Sequence, residues 1–244
     1  MIMLSKRDIK LIKSLRLKKH RLTNKLFVVE GKKSISEFIK SNFSLFKLFS
    51  IDQQFFNLES KSTQITESDL KRISFLTNPD DHLAIFRIPE KKIIDESKLL
   101  LGLDGINDPG NLGNIIRTCD WYNITDIVCS NGSVDCFNPK VVQSAMGSLS
   151  RVNVIYLDLK KYLSSKSFNK IGTFLNGESI FETKINFDKG ILVFGNEANG
   201  ISSKVENELK QRITIPRNNS KNYPESLNLS NSVGIILSQL SIKF

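Results

Sequence analysis

Three turns rich in glycine or asparagine contain the residues that could form a ligand site. They span residues 111–117, 195–200 and 216–228. The first two follow the apolar runs 99–103 and 191–194, which are predicted strands. Because ligands bind at the C-terminal ends of strands in open α/β sheets, we expect the three turns to meet around one pocket. Glycine backbone with few charged neighbours suits a small ligand held by main-chain groups, and it suits a polyphosphate poorly.

Other nucleotide-binding and metal-binding chemistries lack support in the sequence. The turn 109–113 reads Pro-Gly-Asn-Leu-Gly, without the Gly-Lys-Ser/Thr of a phosphate loop or the three glycines of a dinucleotide site, so kinase and dehydrogenase functions are excluded. Its Gly-x-x-Gly spacing also occurs in one RNA-binding module, but the order of elements around it differs from that module. Cys119, Cys129 and Cys136 have no metal-ligand spacing, so we expect no metal, and an odd number of thiols is typical of a reducing cytoplasm.

Alternating strands and helices place the turns in an α/β chain. Strands are predicted at residues 26–29, 46–51, 64–65, 84–88, 99–103, 126–129, 152–156, 171–175, 191–194 and 213–215, with helical stripes between most of them. The polar, charged segment 89–98 predicts a linker between a domain at 1–88 and a domain at 99–244. The uninterrupted apolar strand 191–194 is typical of a parallel sheet that is covered on both faces.

Positive charge is concentrated at the N-terminal end. Residues 1–50 contain 13 Lys and Arg against 3 Asp and Glu, whereas the rest of the chain contains 22 of each. Ser5 and Asp8 predict the start of a helix in this segment that runs to about Lys19. The asymmetry indicates a polyanionic partner, nucleic acid ahead of a membrane surface, with a merely solubilising face as the alternative. The sequence shows no apolar run of membrane-helix length and no signal region, so we expect a cytoplasmic protein that does not enter the membrane.

Three motifs of the second half follow one another in a defined order. They are Asn-x-Gly-x-x-x-Arg at 111–117, Gly-Asn-Glu-x-x-Gly at 195–200, and Ile-Pro followed by Glu-Ser-Leu-Asn at 215–228. Together they resemble the SpoU/TrmH branch of the SPOUT RNA methyltransferases, and the resemblance covers residues 99–240. The stretch 15–31, which contains Arg-x-x-x-x-x-Phe-Val-Val-Glu-Gly, is similar, less specifically, to the substrate-binding domain that often precedes this catalytic domain.

The resemblance implies an enzyme that transfers a methyl group from S-adenosylmethionine to a ribose 2′-hydroxyl of structured RNA. It implies a C-terminal SPOUT domain with a mostly parallel sheet and a deep trefoil knot, a small α/β RNA-binding domain before it, and a homodimer formed through the knot region. The catalytic positions it implies are Asn111, Arg117, Glu197, Ser226 and Asn228. The cofactor-binding positions it implies are Leu175, Asn176, Gly177, Gly195, Asn196, Ile215, Leu227 and Asn228. Arg117 would act on the hydroxyl as a base or, because a guanidinium stays protonated, as a stabiliser of oxyanion charge.

The same motifs also have alternative interpretations, which concern the RNA substrate, the class of protein and the roles of single residues. Ribosomal RNA is favoured over transfer RNA by analogy only. The competing classes are a non-catalytic RNA-binding protein of the same fold, which the full catalytic set argues against, and a base-methylating knotted enzyme, which Glu-Ser-Leu-Asn argues against. Glu197 could also be a carboxylate at a helix N-terminus, and Ser226 and Asn228 simple helix caps. The segment 217–224 is longer and more basic than is usual in the family and has no glycine.

Overall fold

Two compact units make up the protein. The computed structural model describes residues 4–52, 61–90, 93–183, 187–217 and 225–241. One unit is formed by Met1–Lys91 and Asp135–Ser150, and the other by Lys92–Val134 and Arg151–Phe244. The sequence assigned residues 99–244 to a single domain, whereas the packing groups Asp135–Ser150 with the N-terminal unit. The first unit is therefore built from two separate pieces of chain.

The first unit contains a four-stranded sheet packed with helices. Its N-terminal piece runs through α1 (Lys6–Ser14), α2 (Lys18–Asn24), β1 (Leu26–Glu30), α3 (Lys32–Ile39), β2 (Leu45–Ser50), β3 (Ser62–Gln64), α4 (Glu67–Ile73) and β4 (His82–Arg87). The strand order is β1-β4-β2-β3, with β4 antiparallel to both neighbours and β3 parallel to β2. Buried and mostly aliphatic side chains form one core cluster, and the rings of Phe27, Phe38 and Phe86 pack against one another.

The second unit contains a six-stranded parallel sheet. From residue 99 onwards the elements are β5 (Leu99–Leu103), α5 (Pro109–Trp121), β6 (Asp126–Ser130), α6 (Pro139–Ala145), β7 (Asn153–Leu157), α7 (Leu159–Ser164), β8 (Lys170–Ser179), β9 (Gly190–Phe194), α8 (Ser203–Glu206), β10 (Gln211–Thr214) and α9 (Leu229–Ser241), and all but α6 belong to this unit. The strand order is β10-β8-β9-β5-β6-β7, and each adjacent pair is parallel. The central strands β5 and β9 are buried along their whole length. The predicted parallel α/β architecture is confirmed, while the knot stays a prediction.

A buried ion pair holds the segment Asp135–Ser150 in the first unit. Arg21 Nε and Nη2 donate to Asp135 Oδ2 at 2.9 and 2.6 Å, and Arg21 is only 2% exposed. The ring of Phe137 lies with its centroid 4.6 Å from that of Phe27 on β1. A short 3₁₀ turn at Ser148–Ser150 completes this segment after α6. An ion pair and an aromatic contact thus attach the inserted piece to the N-terminal piece.

The N-terminal helix starts as predicted but ends early. Ser5 Oγ accepts a hydrogen bond from Asp8 N at 3.0 Å, which confirms the predicted cap. The prediction of one continuous helix through this segment is wrong, because α1 and α2 are separate. Between them, Arg21 Nη1 donates to the carbonyl oxygens of Leu15 and Arg16 at 2.9 and 2.7 Å. Carbonyls at a helix end have no intrahelical partner, and the Arg21 side chain supplies one for these two.

The part of the chain that the structure describes contains neither a membrane-spanning helix nor a cluster of metal-binding side chains, and its cysteines are buried. Within those residues, none of the helices combines the length and the apolar character that crossing a membrane requires. The same residues contain no group of three or more His, Cys, Asp or Glu that could hold a metal ion. Cys119, Cys129 and Cys136 are buried and are not joined by disulfide bonds, and burial raises the pKa of the Cys119 and Cys129 thiols, so these two stay protonated.

Candidate active site

A cavity of about 730 Å³ lies in the second unit, around the ends of β8, β9 and β10 and the start of α9. Eight of the predicted site residues line it: Leu175, Asn176, Gly195, Asn196, Glu197, Ile215, Ser226 and Leu227. Four others, Asn111, Arg117, Gly177 and Asn228, do not line it. The volume lies within the range of about 300–1,000 Å³ that is usual for small-ligand pockets. Most of the segment predicted to be longer than in the family, 218–224, lies outside the described residues.

The turn after β9 is closed on itself by backbone hydrogen bonds. Asn196 N donates to Gly200 O at 2.9 Å, and Gly200 N donates to Asn196 O at 2.8 Å. A Cβ on Gly195 would lie 2.1 Å from the carbonyl carbon of Gly200, so only glycine fits there. The side chain of Asn196 accepts two N–H groups of its own turn and donates through Nδ2 to Gly105 O at 2.7 Å. It therefore ties this turn to the turn that follows β5.

The wall at β8 is formed where the sheet pairing is interrupted. The parallel pairing of β8 with β10 undergoes a register shift in the middle of β8. Leu175 and Asn176 lie within the interruption and line the cavity, and Thr214 Oγ1 donates to Leu175 O at 3.1 Å. Gly177 has a different role, because a Cβ there would lie 2.7 Å from the carbonyl oxygen of Arg212. Glycine at that position lets the two strands approach each other.

Hydrogen bonds join the three turns into one network. Asn228 Nδ2 donates to Asn111 Oδ1 at 3.0 Å, and Asn111 Nδ2 donates to Glu197 Oε1 at 2.7 Å. Asn228 Oδ1 also accepts the N–H and the hydroxyl of Ser230 at 3.0 and 2.7 Å, so Asn228 is both a helix cap and a member of the network. Glu197 is not at a helix N-terminus, because α8 begins only at Ser203. Asn228 therefore caps a helix, as one alternative predicted, but it also binds Asn111. The alternative that Glu197 is a carboxylate at a helix N-terminus is wrong.

Arg117 stands apart from the cavity. It lies on α5 one turn after Gly113, its side chain is exposed, and it makes no hydrogen bond or ion pair with another described residue. Trp121, one further turn along, is 83% exposed. α5 packs beside α9, and the first turn of α9 contains Ser230, whose N–H donates to Asn228 Oδ1. The structure thus brings together Asn111, Glu197 and Asn228 but leaves Arg117 outside this group.

Several side chains at the site were missed by the sequence interpretation. The guanidinium of Arg212 lies 3.6 Å from the ring centroid of Phe174 and forms an ion pair with Glu206, and all three residues line the cavity. Asp104, buried after β5, accepts the N–H and the hydroxyl of Ser202 at 2.9 and 2.6 Å. These residues come from separate strands, helices and turns, so no local spacing marks them as neighbours.

Two family models match the chain. The SpoU rRNA Methylase family matches residues 98–238, and the MRM3-like substrate binding domain matches residues 6–84. The chain belongs to the SpoU rRNA methylase family. It is an RNA methyltransferase of that family, whose methyl donor is S-adenosylmethionine, and the predicted resemblance is confirmed.

Individual relatives support the same assignment over nearly the whole chain. The 23S rRNA (guanosine(2553)-2′-O)-methyltransferase RlmP of Bacillus subtilis is 27% identical over 235 residues, which are 93% of each chain. A solved structure from Porphyromonas gingivalis, described as an RNA methyltransferase of the TrmH family, is 37% identical with a TM-score of 0.87 and 98% coverage of both chains. An AdoMet-bound rRNA methyltransferase from Sinorhizobium meliloti has a TM-score of 0.86 at 22% identity, covers 99% and 98% of the two chains, and shows the shared fold.

Proposed function

We propose that this chain methylates the 2′-hydroxyl of a ribose in ribosomal RNA, with S-adenosylmethionine as the donor. The observation that carries the proposal is the network of Asn228, Asn111 and Glu197 beside the cavity of about 730 Å³. It sets polar side chains at the edge of a pocket formed largely from turns. The family match and the Bacillus subtilis relative, named for 2′-O-methylation of 23S rRNA, support this substrate.

The residues of the cavity fit the proposed cofactor. Glycine at position 195 lets the turn fold back onto Gly200, and both glycines line the cavity without side chains that would fill it. Leu175, Ile215 and Leu227 add apolar surface to the lining. Bound there, S-adenosylmethionine would supply an electrophilic methyl group on a sulfonium sulfur. The protein must then orient the hydroxyl oxygen in line with that methyl group, and orientation alone can lower a barrier by roughly 7–11 kcal/mol.

Each polar residue has a distinct proposed part in this reaction. Asn111 has both ends of its amide committed to Asn228 and Glu197, so it positions Glu197 and does not itself contact the ribose. Glu197 lines the cavity and would accept first the hydrogen bond and then the proton of the 2′-hydroxyl, as its oxygen takes the methyl group and the sulfonium sulfur is left as a neutral thioether. Arg117 keeps its charge and stabilises the developing negative charge on the oxygen once the exposed side of α5 is covered in the assembled complex.

RNA binding and dimer formation are the remaining parts of the proposal. The first unit binds RNA, as supported by the net charge of +10 in residues 1–50 and by the substrate-binding family model over residues 6–84. The chain forms a homodimer through α9 and the adjacent α5, which expose Ile235 and Trp121. The trefoil knot and the cytoplasmic location stay predictions.

A labelling experiment tests the reaction. The purified protein is incubated with S-adenosylmethionine that carries a tritiated methyl group, together with ribosomal or transfer RNA from cells that lack the gene. We expect label in ribosomal RNA, at a nucleotide whose 3′ linkage becomes resistant to alkaline hydrolysis. An oligonucleotide with 2′-deoxyribose at the mapped nucleotide is the matched control and should take up no label. Label on a base, or in the deoxy control, would contradict ribose methylation.

A further inference from the structure

A second cavity, of about 270 Å³, lies entirely within the first unit. Both pieces of chain that form this unit line it, with Arg16, Glu30 and Phe75 from the N-terminal piece and Lys140 and Gln143 from α6. Its volume is just below the range of about 300–1,000 Å³ that holds drug-sized ligands. It has room for one flat ring system.

One wall of this cavity offers a stacking surface. The guanidinium carbon of Arg16 lies 4.7 Å from the ring centroid of Phe75, and Arg16 Nη2 also donates to Ser74 O at 3.4 Å. Val28 and Val142, both buried, contribute apolar surface to the lining. RNA-binding proteins hold unpaired bases by stacking them on aromatic rings and on guanidinium planes. This wall therefore has the chemistry of a base-binding surface.

A carboxylate held in a fixed position supplies the polar edge. Glu30 Oε1 accepts the N–H of Phe75 at 2.8 Å, and Glu30 Oε2 accepts the hydroxyl of Ser74 at 2.5 Å. A carboxylate has about four acceptor sites, so two remain for a ligand. Burial raises the pKa of Glu30, while these two hydrogen bonds and the charge of Arg16 lower it. Further N–H donors from a ligand would stabilise the charged carboxylate.

We propose that this cavity binds one unpaired guanine base of the RNA substrate. Guanine presents two adjacent donors, N1–H and the N2 amino group, which match the free acceptor sites of Glu30. Its O6 and N7 are acceptors for the ammonium group of Lys140 or the amide of Gln143. Adenine, cytosine and uracil lack this pair of adjacent donors. The inference rests on the proposed function, because the guanine would belong to the RNA substrate of that reaction. The subsite lies in the first unit and includes side chains of α6.

Binding of RNA hairpins to the full-length protein tests the proposal without any methylation. Four fluorescently labelled stem-loops differ only in one unpaired loop nucleotide, which is guanosine, adenosine, cytidine or uridine. We expect the guanosine hairpin to bind at least ~10-fold more tightly than the others, a difference of about 1.4 kcal/mol. Equal affinities for the four hairpins would overturn the proposal.

Variants separate base recognition from charge attraction. Gln143→Trp, at an exposed position of α6, should fill the cavity and remove the guanosine preference without changing the slope of log affinity against log salt. Lys18→Ala, an exposed position on α2, is the control and should lower that slope by about 0.9 equally for all four hairpins. A guanosine preference that survives in Gln143→Trp would refute the site.

Two further measurements complete the test. Guanosine monophosphate that binds at micromolar concentration, while the hairpins bind alike, would assign the cavity to a free nucleotide and would overturn the RNA proposal. Calorimetric binding of S-adenosylmethionine and methyl transfer are measured separately on the same samples. A failure of methyl transfer with an intact guanosine preference refutes the proposed function and supports this subsite. Loss of the preference in Gln143→Trp, with cofactor binding unchanged, supports the subsite as well.

Discussion

The substitution Asn111→Asp tests whether the three turns act together in cofactor binding. It keeps an oxygen that accepts from Asn228, but it replaces the amide donor 2.7 Å from Glu197 Oε1 with a second carboxylate oxygen. Asn111 is 9% exposed, whereas Glu197 is exposed, so we expect the Glu197 carboxylate to turn towards solvent. The turn 195–200 then loses its polar link to α5, and the cavity that it lines loses its defined shape.

The expected size of the effect follows from the bond that is lost. A hydrogen bond to a charged group contributes about 1.5–3 kcal/mol, or about 10- to 150-fold in affinity. The exposure of Glu197 favours the lower part of that range, so we expect S-adenosylmethionine to bind about 10- to 30-fold more weakly near neutral pH.

The same substitution makes the defect depend on pH. Two carboxyl groups in contact raise the pKa of one of them, here the buried introduced group. Its protonated form can donate to Glu197 again. The defect in cofactor binding is therefore absent below the raised pKa of that group in the folded protein and grows as the pH rises through it, because deprotonation removes the donor to Glu197.

Calorimetry of S-adenosylmethionine binding between pH 5 and 8 checks these expectations. Asn111→Asp should approach wild-type affinity as the pH falls, whereas Asn111→Ala should bind weakly at every pH. Asn114→Ala, at an exposed position on the same helix, is the matched control and should bind like the wild type. Wild-type affinity of a folded Asn111→Asp protein at every pH would refute the role given to this network.

Three further predictions concern residues outside the network. Arg117→Ala should lower the single-turnover methylation rate at least ~100-fold at unchanged cofactor affinity, and Arg117→Lys should not restore the rate. A near wild-type rate in a folded Arg117→Ala protein would disprove the catalytic role of Arg117. Arg21→Ala leaves Asp135 buried without its partner and should cost about 3–5 kcal/mol in urea unfolding, much of which the double substitution Arg21→Met, Asp135→Leu should recover. Trp121→Glu puts a charge on the exposed face of α5 and should convert the dimer to a monomer in light scattering, and an unchanged mass would place the interface elsewhere.

The sequence predicted the strands and the glycine turns because both depend on residues that are close along the chain. The apolar run 191–194 predicted β9, and Gly195 follows it where the chain folds back onto Gly200. The cap formed by Ser5 and Asp8 spans three positions and was visible in the same way. In each case one local constraint selects both the residue type and the conformation.

Contacts between distant residues left no comparable signal. Arg21 and Asp135 are 114 positions apart, and their ion pair helps to place Asp135–Ser150 in the first unit, which the charge pattern alone did not indicate. Asn111 bonds to Glu197 and Asn228 across 86 and 117 positions. The motifs named these three residues, but only the structure shows that Asn111 is the link between the other two.

The spacing within α5 explains why Asn111 and Arg117 cannot serve the site in the same way. Six residues are about one and two-thirds turns of an α-helix, so the two side chains point about 120° apart. Asn111 faces Glu197, and Arg117 therefore points away from the network, on the same side of the helix as the exposed Trp121. Arg117 can contact a reacting hydroxyl only after another surface covers that side of α5. Substitution of Arg117 should then leave cofactor affinity unchanged and lower the rate of methyl transfer to RNA. Substitution of a residue that lines the cavity would change the cofactor affinity as well.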